Sequence, residues 1–179
     1  GEPEFDPRTI QIQPPPGTRR RIQLLPRSPM DFNLSTFRSE QTTPSEQVTL
    51  IRGGVILLIE GVQTNELGDL GTISLAADRM VLWTLDDESG GFGRVREQSR
   101  DAPLQVYLEG NIVIRQGQTN VRASRAFYDA RDERALLFDA ELRTFIPEIG
   151  GDIRVRAARI RQLTRDKFHA SNAWTTNSP

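Results

Sequence analysis

The side chains best suited to chemistry in this 179-residue chain are few and sparsely placed. His169 is the single histidine, with Asp166 three residues before it, and there is no cysteine. A Ser-His-Asp relay or a histidine-based metal site would have to be built around that one ring. No nucleophile elbow, phosphate loop or metal-ligand spacing accompanies it, and a lone histidine late in a chain reads as a surface residue. Asp86-Asp87-Glu88 beside Gly90-Gly91 offers oxygens to a calcium ion. It lacks the alternating ligand spacing of a calcium loop and reads as a charged loop tip. The sequence therefore predicts no enzyme, no metal and no cofactor.

Arginine is the more pointed signal. Arg154, Arg156, Arg159 and Arg161, followed by Arg165 and Lys167, face only Asp152 and Asp166 in their stretch. A guanidinium fork matches phosphate geometry, so this run is a candidate contact for an anionic headgroup. The plainer reading, which we prefer, is a solvated strand face that protects an edge from aggregation. Arg19-Arg20-Arg21, after a Gly-Thr turn, reads as solvated too. With 23 basic against 24 acidic residues the net charge is -1, which argues against a general nucleic-acid binder.

The elements that would position these residues come next. A hydrophobic share of 36% with 7% aromatics is lean, as in a narrow sheet structure or a chain with an unpacked part. The longest apolar run, 55–59, is strand-sized, far short of the ~18 residues of a membrane helix. The chain starts at Gly1 without a charged-then-apolar leader, and any signal peptide is expected to have been removed. Residues 1–47 are proline-rich, so strands there are short or at an edge. TIQIQ at 9–13 and RIQLL at 21–25 could pair as a first hairpin, 32–37 could add a strand, and 38–46 reads as a linker. From residue 48 onward β patterning is strong. Residues 61–72 read as a turn, and 86–103 as a mobile loop.

The chain repeats itself around 108–143. Gly54 to Gly61 has the same spacing as Gly110 to Gly117, and LAADR at 75–79 answers VRASR at 121–125 and VRAAR at 155–159. Ala123, Ala126, Phe127, Ala130 and Leu137 also fit helical spacing. The aligned copies are strand-like, so 128–134 reads as a turn between strands. Ile73, Leu75, Ala77, Val81 and Trp83 alternate onto one face. In the last copy Ile153, Val155 and Ala157 give way to Ala158 and Ile160, so the face switches by one residue, as at a β-bulge or a sheet corner.

A Gly-x-Ile-x-Ile strand, then x-Val-x-Ala-x-Arg-Ala-x-Tyr-Asp, a charged turn, and ALLFDAEL at 135–142 together resemble the OstA-like β-jellyroll unit. That unit occurs in periplasmic lipopolysaccharide-transport proteins and in the periplasmic segment of the outer-membrane lipopolysaccharide assembly protein. The resemblance spans roughly 48–174, and the chain departs from it in the polyproline start and the 86–103 loop. It implies an all-β fold of two antiparallel sheets facing each other as an open jellyroll over 48–179, with 1–47 as a proline-rich segment that could supply the first strands. It also implies a periplasmic, non-enzymatic carrier or scaffold for lipopolysaccharide or a related glycolipid, docking edge to edge on other jellyroll domains or on itself, and touching membrane only indirectly.

Alternation supplies an independent route to the same groove. Every second strand residue shares a face, so Ile56, Leu58, Ile73, Leu75, Ile112, Ile114, Val121, Ala123, Phe127 and Val155 are the candidates to line one interior for acyl chains. Periodicity alone does not separate a lined cavity from a filled core. The alternative is a structural β-solenoid or adhesive filament. The unequal intervals of 56 residues (Gly54 to Gly110) and 34 (Val121 to Val155) weigh against regular coils. A carbohydrate-binding sandwich would need more exposed aromatics on one face.

Overall fold

The computed structural model describes residues 19–28, 31–39, 45–63, 70–85, 95–146, 150–164 and 167–177. These form ten strands: β1 (Arg19–Pro26), β2 (Asn33–Ser39), β3 (Glu46–Gln63), β4 (Leu70–Leu85), β5 (Val95–Ser99), β6 (Leu104–Gln116), β7 (Thr119–Asp129), β8 (Arg134–Ile146), β9 (Gly151–Thr164) and β10 (Lys167–Asn177). No described residue is helical. One open sheet holds them all in the order β10-β9-β8-β7-β6-β4-β3-β1-β5, with β2 also on β3, and every pairing is antiparallel.

The stretch that satisfied helical spacing is the end of β7, the turn at 130–133 and the start of β8, so the expected turn at 128–134 is shorter than read. The expected strand at 32–37 is β2. The expected loop at 86–103 is corrected in part: Val95–Ser99 is β5, which crosses to pair with β1. Residues 86–94, including the acidic cluster, lie outside the described residues. So does the 9–13 half of the expected first hairpin; β1 already has β3 on one edge and β5 on the other over residues 21–23. β1 and β2 belong to the same sheet as the rest, and residue 47 falls inside β3.

The long strands share one irregularity at one level. The register skips between Arg52 and Val55 in β3, Ala76 and Arg79 in β4, and Glu109 and Ile112 in β6. Left-handed backbone marks the level in alternate strands, at Gly53 and Gly54, at Gly110 and Asn111, at Asp139, and at Asn172. Facing these, in β4, β7 and β9, are the repeated pairs Ala77-Asp78, Ala123-Ser124 and Ala157-Ala158. The repeat is thus the sequence trace of a seam. Side chains stand in for the interrupted ladder: Asn111 Nδ2 donates to Asp78 Oδ2 at 2.8 Å, and Ser124 Oγ donates to Asp139 Oδ2 at 2.8 Å. Bulges of this kind bend and twist their strand.

The seam divides each long strand into two arms; in β4, β7, β8 and β9 it moves the buried face by one residue, while in β3 and β6 two left-handed residues keep the parity. In β4, Ile73, Leu75 and Ala77 are buried on one side of it and Met80, Leu82 and Thr84 on the other. Val81 and Trp83, expected on the face of Leu75, therefore sit on the opposite one. The expected face switch in β9 is seen between Ala157 and Ile160, both buried. Opposed residues form rows across the sheet. The first arm carries Leu24, Leu57, Leu75, Ile114, Val121, Leu142 and Val155. The second carries Ile51, Met80, Leu108, Ala126, Leu137 and Ile160. A single apolar cluster includes buried residues of both arms, each fully buried aliphatic side chain contributing about 1.5–3 kcal/mol.

The seam gives a direct test. A Cβ on Gly53, at φ +87°, would sit 1.7 Å from the Asp31 carbonyl oxygen, whereas one on Gly117, at φ +55°, would meet nothing within 4 Å. Gly53→Ala is expected to lower stability in urea by roughly 2–4 kcal/mol and Gly117→Ala by about 1 kcal/mol. Equal losses would contradict the close approach at the seam.

Candidate functional site

Backbone register sorts the ten interior candidates. Ile73, Leu75, Ile112, Ile114, Val121, Ala123 and Val155 share the inner face of the first arm. Ile56 and Leu58 do not: Leu57 is the residue opposite Leu75, so its two neighbours point to the outer side. Phe127 is also outward, opposite Tyr107 and Leu136, because the seam at Ser124 shifts the parity of β7 and turns Ala126 and Tyr128 inward. The unbroken apolar run at 55–59 carries no parity of its own, and the shift in β7 is invisible to simple alternation.

Exposure along the inner rows is graded. At the β1–β3–β4 end Leu57 and Ile59 are 0% exposed, and Ile73, Leu75 and Ile112 are buried, as in a filled core. Toward the other end Ile114, Ala123, Leu142 and Val155 are half-buried, and on β10 Ala173 and Thr175 are exposed. The second arm behaves likewise: Val106 and Tyr128 are buried, Ala135 and Gln162 half-buried, and Phe168, last in that row, is 56% exposed. Among the described residues β10 has no strand on its outer side. The inner face is thus covered, among the described residues, beside β1 and β5 and uncovered at β10, and at the β2 edge Leu34, opposite Ile51, is also exposed.

The covered end is closed by polar groups that sequence reading missed. Arg20, read as solvated with its two neighbours, is only 3% exposed. It shares the inner face with Ile22 and Leu24, and extending that alternation back by one step would have found it. Its Nη1 donates to the Arg100 carbonyl at 3.3 Å and its Nη2 to the Ala102 carbonyl, and the Gln98 amide oxygen, turned toward it, accepts from Nε at 2.8 Å. Burial pushes the guanidinium down to about 10, against the opposing pull of Tyr128 and Asp129, so it stays charged at neutral pH. From β5, Arg96 donates to the Leu85 carbonyl at 3.0 Å and to Thr84 Oγ1 at 3.4 Å.

The four candidate phosphate contacts are all exposed on β9. Two are engaged. Arg156 Nε donates to Glu141 Oε2 at 2.6 Å and stacks over Trp174 at 5.7 Å, and Arg154 Nε lies 3.3 Å from Glu141 Oε1. The Arg156 hydrogen bond holds the Glu141 carboxyl below its usual range. Ion pairs this exposed contribute little to stability. Arg159 and Arg161 have no ion pair among the described residues. His169 is exposed on β10, and no group of three or more metal-capable side chains occurs among the described residues.

Comparison of the chain with protein-family models, with curated proteins and with solved structures finds no match.

The polar closure is open to measurement. Arg20→Met leaves the carbonyls of Arg100 and Ala102 and the Gln98 amide without their donor, and is expected to cost about 2–4 kcal/mol. Hydrogen exchange should localise the loss: amides of Val95–Ser99 lose protection while those of β6 and β7 keep theirs. Uniform loss across the sheet would refute a local latch.

Proposed function

We propose that the chain is a non-enzymatic periplasmic carrier or scaffold module for lipopolysaccharide or a related glycolipid, folded as an open two-layer jellyroll of the OstA-like kind. In this reading the seam folds the sheet so that the inner faces of its two arms oppose each other. The buried cluster drawn from both arms supports that arrangement, as does Arg96, which reaches from a strand paired to the first arm to carbonyl and hydroxyl groups of the second.

The graded exposure of the inner rows carries the functional reading. A fully packed sandwich would bury its inner face at both ends. Here inner-face apolar side chains are partly accessible from β6 onward, at Ile114, Ala123, Leu142 and Val155, and most accessible at Phe168 on β10. Acyl chains entering there would gain roughly 25 cal/mol per Å² of tail surface covered, without directional bonds, which suits cargo that must be released. Ile73, Leu75 and Ile112 then serve as the packed floor. Arg159 and Arg161, on the outer side of β9, are the arginines left to meet the phosphates of a headgroup that stays outside. The unpaired β10 edge is where a second jellyroll domain would add its strand.

A photo-crosslinking residue at Val155 is expected to capture glycolipid well above one at Gln118, in the exposed β6–β7 turn. Equal capture at the two positions would sink the reading. The filament alternative draws on the same unpaired edge, although antiparallel pairing throughout speaks against stacked parallel coils. Light scattering separates the two. Mass that rises with protein concentration to short oligomers, with lipid captured, fits a carrier; fibres growing without limit and without captured lipid fit a filament.

A further inference from the structure

The outer side of the second arm carries a pattern that the interior reading does not use. Leu50, Val81, Tyr107, Phe127 and Leu136 lie opposite one another across five adjacent strands, forming an apolar row on that outer face. At the strand spacing of about 4.8 Å the row is about 19 Å long. Two residues along each of the first four strands, on the same side, stand Arg52, Arg79, Glu109 and Arg125. A cavity of about 390 Å³ opens where the rows meet, floored by Leu50, Val81 and Tyr107 and walled by Arg52, Arg79 and Glu109.

The charges around it are not balanced within the fold. Arg52 and Arg79 are directly opposed across β3 and β4, an arrangement in which like charges repel. Arg79 reaches Glu109 at 3.3 Å, but Arg52 has no ion pair among the described residues. In the neighbouring cleft of about 560 Å³, which shares both arginines, Arg27 is held by Asp78 at 3.3 Å, and Asp31 also lines the wall.

From these observations we infer that the outer face binds a single anionic amphiphile, its carboxylate or phosphate placed between Arg52 and Arg79 and its apolar chain laid along Leu50, Val81, Tyr107 and Phe127. The anion relieves the repulsion of the paired arginines, and the chain covers a row that the fold leaves half-covered. The five apolar side chains are half-buried rather than protruding, so they offer a bilayer nothing to insert, and one molecule must come to the cavity. The site lies on the face opposite Val155 and stands or falls independently of the interior.

Titration calorimetry with dodecyl phosphate below its micellar concentration tests this on the full chain. Arg52→Gln should weaken binding about tenfold, the loss of a charge-assisted contact, without lowering the melting temperature, because it also removes a like-charge neighbour. Glu109→Gln should tighten binding severalfold by freeing Arg79. Val81→Asp should abolish it, and Gln118→Asp, in the exposed β6–β7 turn, should leave it unchanged. Unaltered binding by Arg52→Gln, loss of binding through Gln118→Asp alone, or binding only to vesicles of anionic phospholipid would each overturn the proposal.

Discussion

The structure depends on one backbone constraint: long strands must carry an irregularity at a common level while staying hydrogen-bonded to their neighbours. An 18-residue strand such as β3 would extend roughly 60 Å if straight, too long to bury a face on itself. Left-handed residues supply the irregularity in alternate strands, and small or short polar residues accompany them in the strands between. Gly110 shows why the two must match. A side chain there would meet Asp78 Oδ2 at 2.7 Å, and Asp78 is needed where it is because it accepts from Asn111. The seam is thus a set of paired choices across strands rather than a row of independent glycines.

That constraint also decides which residues are inside. At the seam the buried parity of β4, β7, β8 and β9 moves by one residue, so a strand that alternates throughout would expose half of its apolar residues beyond it. Ala123 and Ala126 are three apart and both inward, a spacing that imitates a helix. The helical appearance of this stretch is the signature of a strand that bends and keeps its inner face.

Much of this was legible in the sequence, for identifiable reasons. LAADR, VRASR and VRAAR repeat because each occupies the seam, so the repeat could be seen without knowing its purpose. The turn expected at 128–134, found at 130–133, followed from the strand-like aligned copies, and the strand expected at 32–37, found at Asn33–Ser39, from local residue types. What could not be read was relational. Ile56 and Leu58 sit in a run apolar on both sides, where only pairing with β4 fixes direction. β5 is short, polar and far in sequence from β1, and nothing local announces a partner 76 residues away between Arg21 and Glu97. Arg20 looked solvated because charge normally is. Its burial follows from three acceptors that different parts of the chain deliver to it.

The two ends of the sheet solve opposite problems. At the β1–β5 end the inner face is closed by arginines bonded to carbonyls, a costly arrangement that holds because Arg20 and the Arg96 Nη groups find acceptors. At the β10 end, among the described residues, neither a plug nor a further strand covers the inner rows, and Phe168 is left exposed at the end of a row that begins with fully buried residues. A fold that needed only stability would close both ends with apolar side chains, since replacing buried charge by well-packed hydrocarbon is often neutral or favourable. Closing one end with arginine-carbonyl hydrogen bonds and leaving the β10 edge uncovered among the described residues makes the two ends of the sheet unlike.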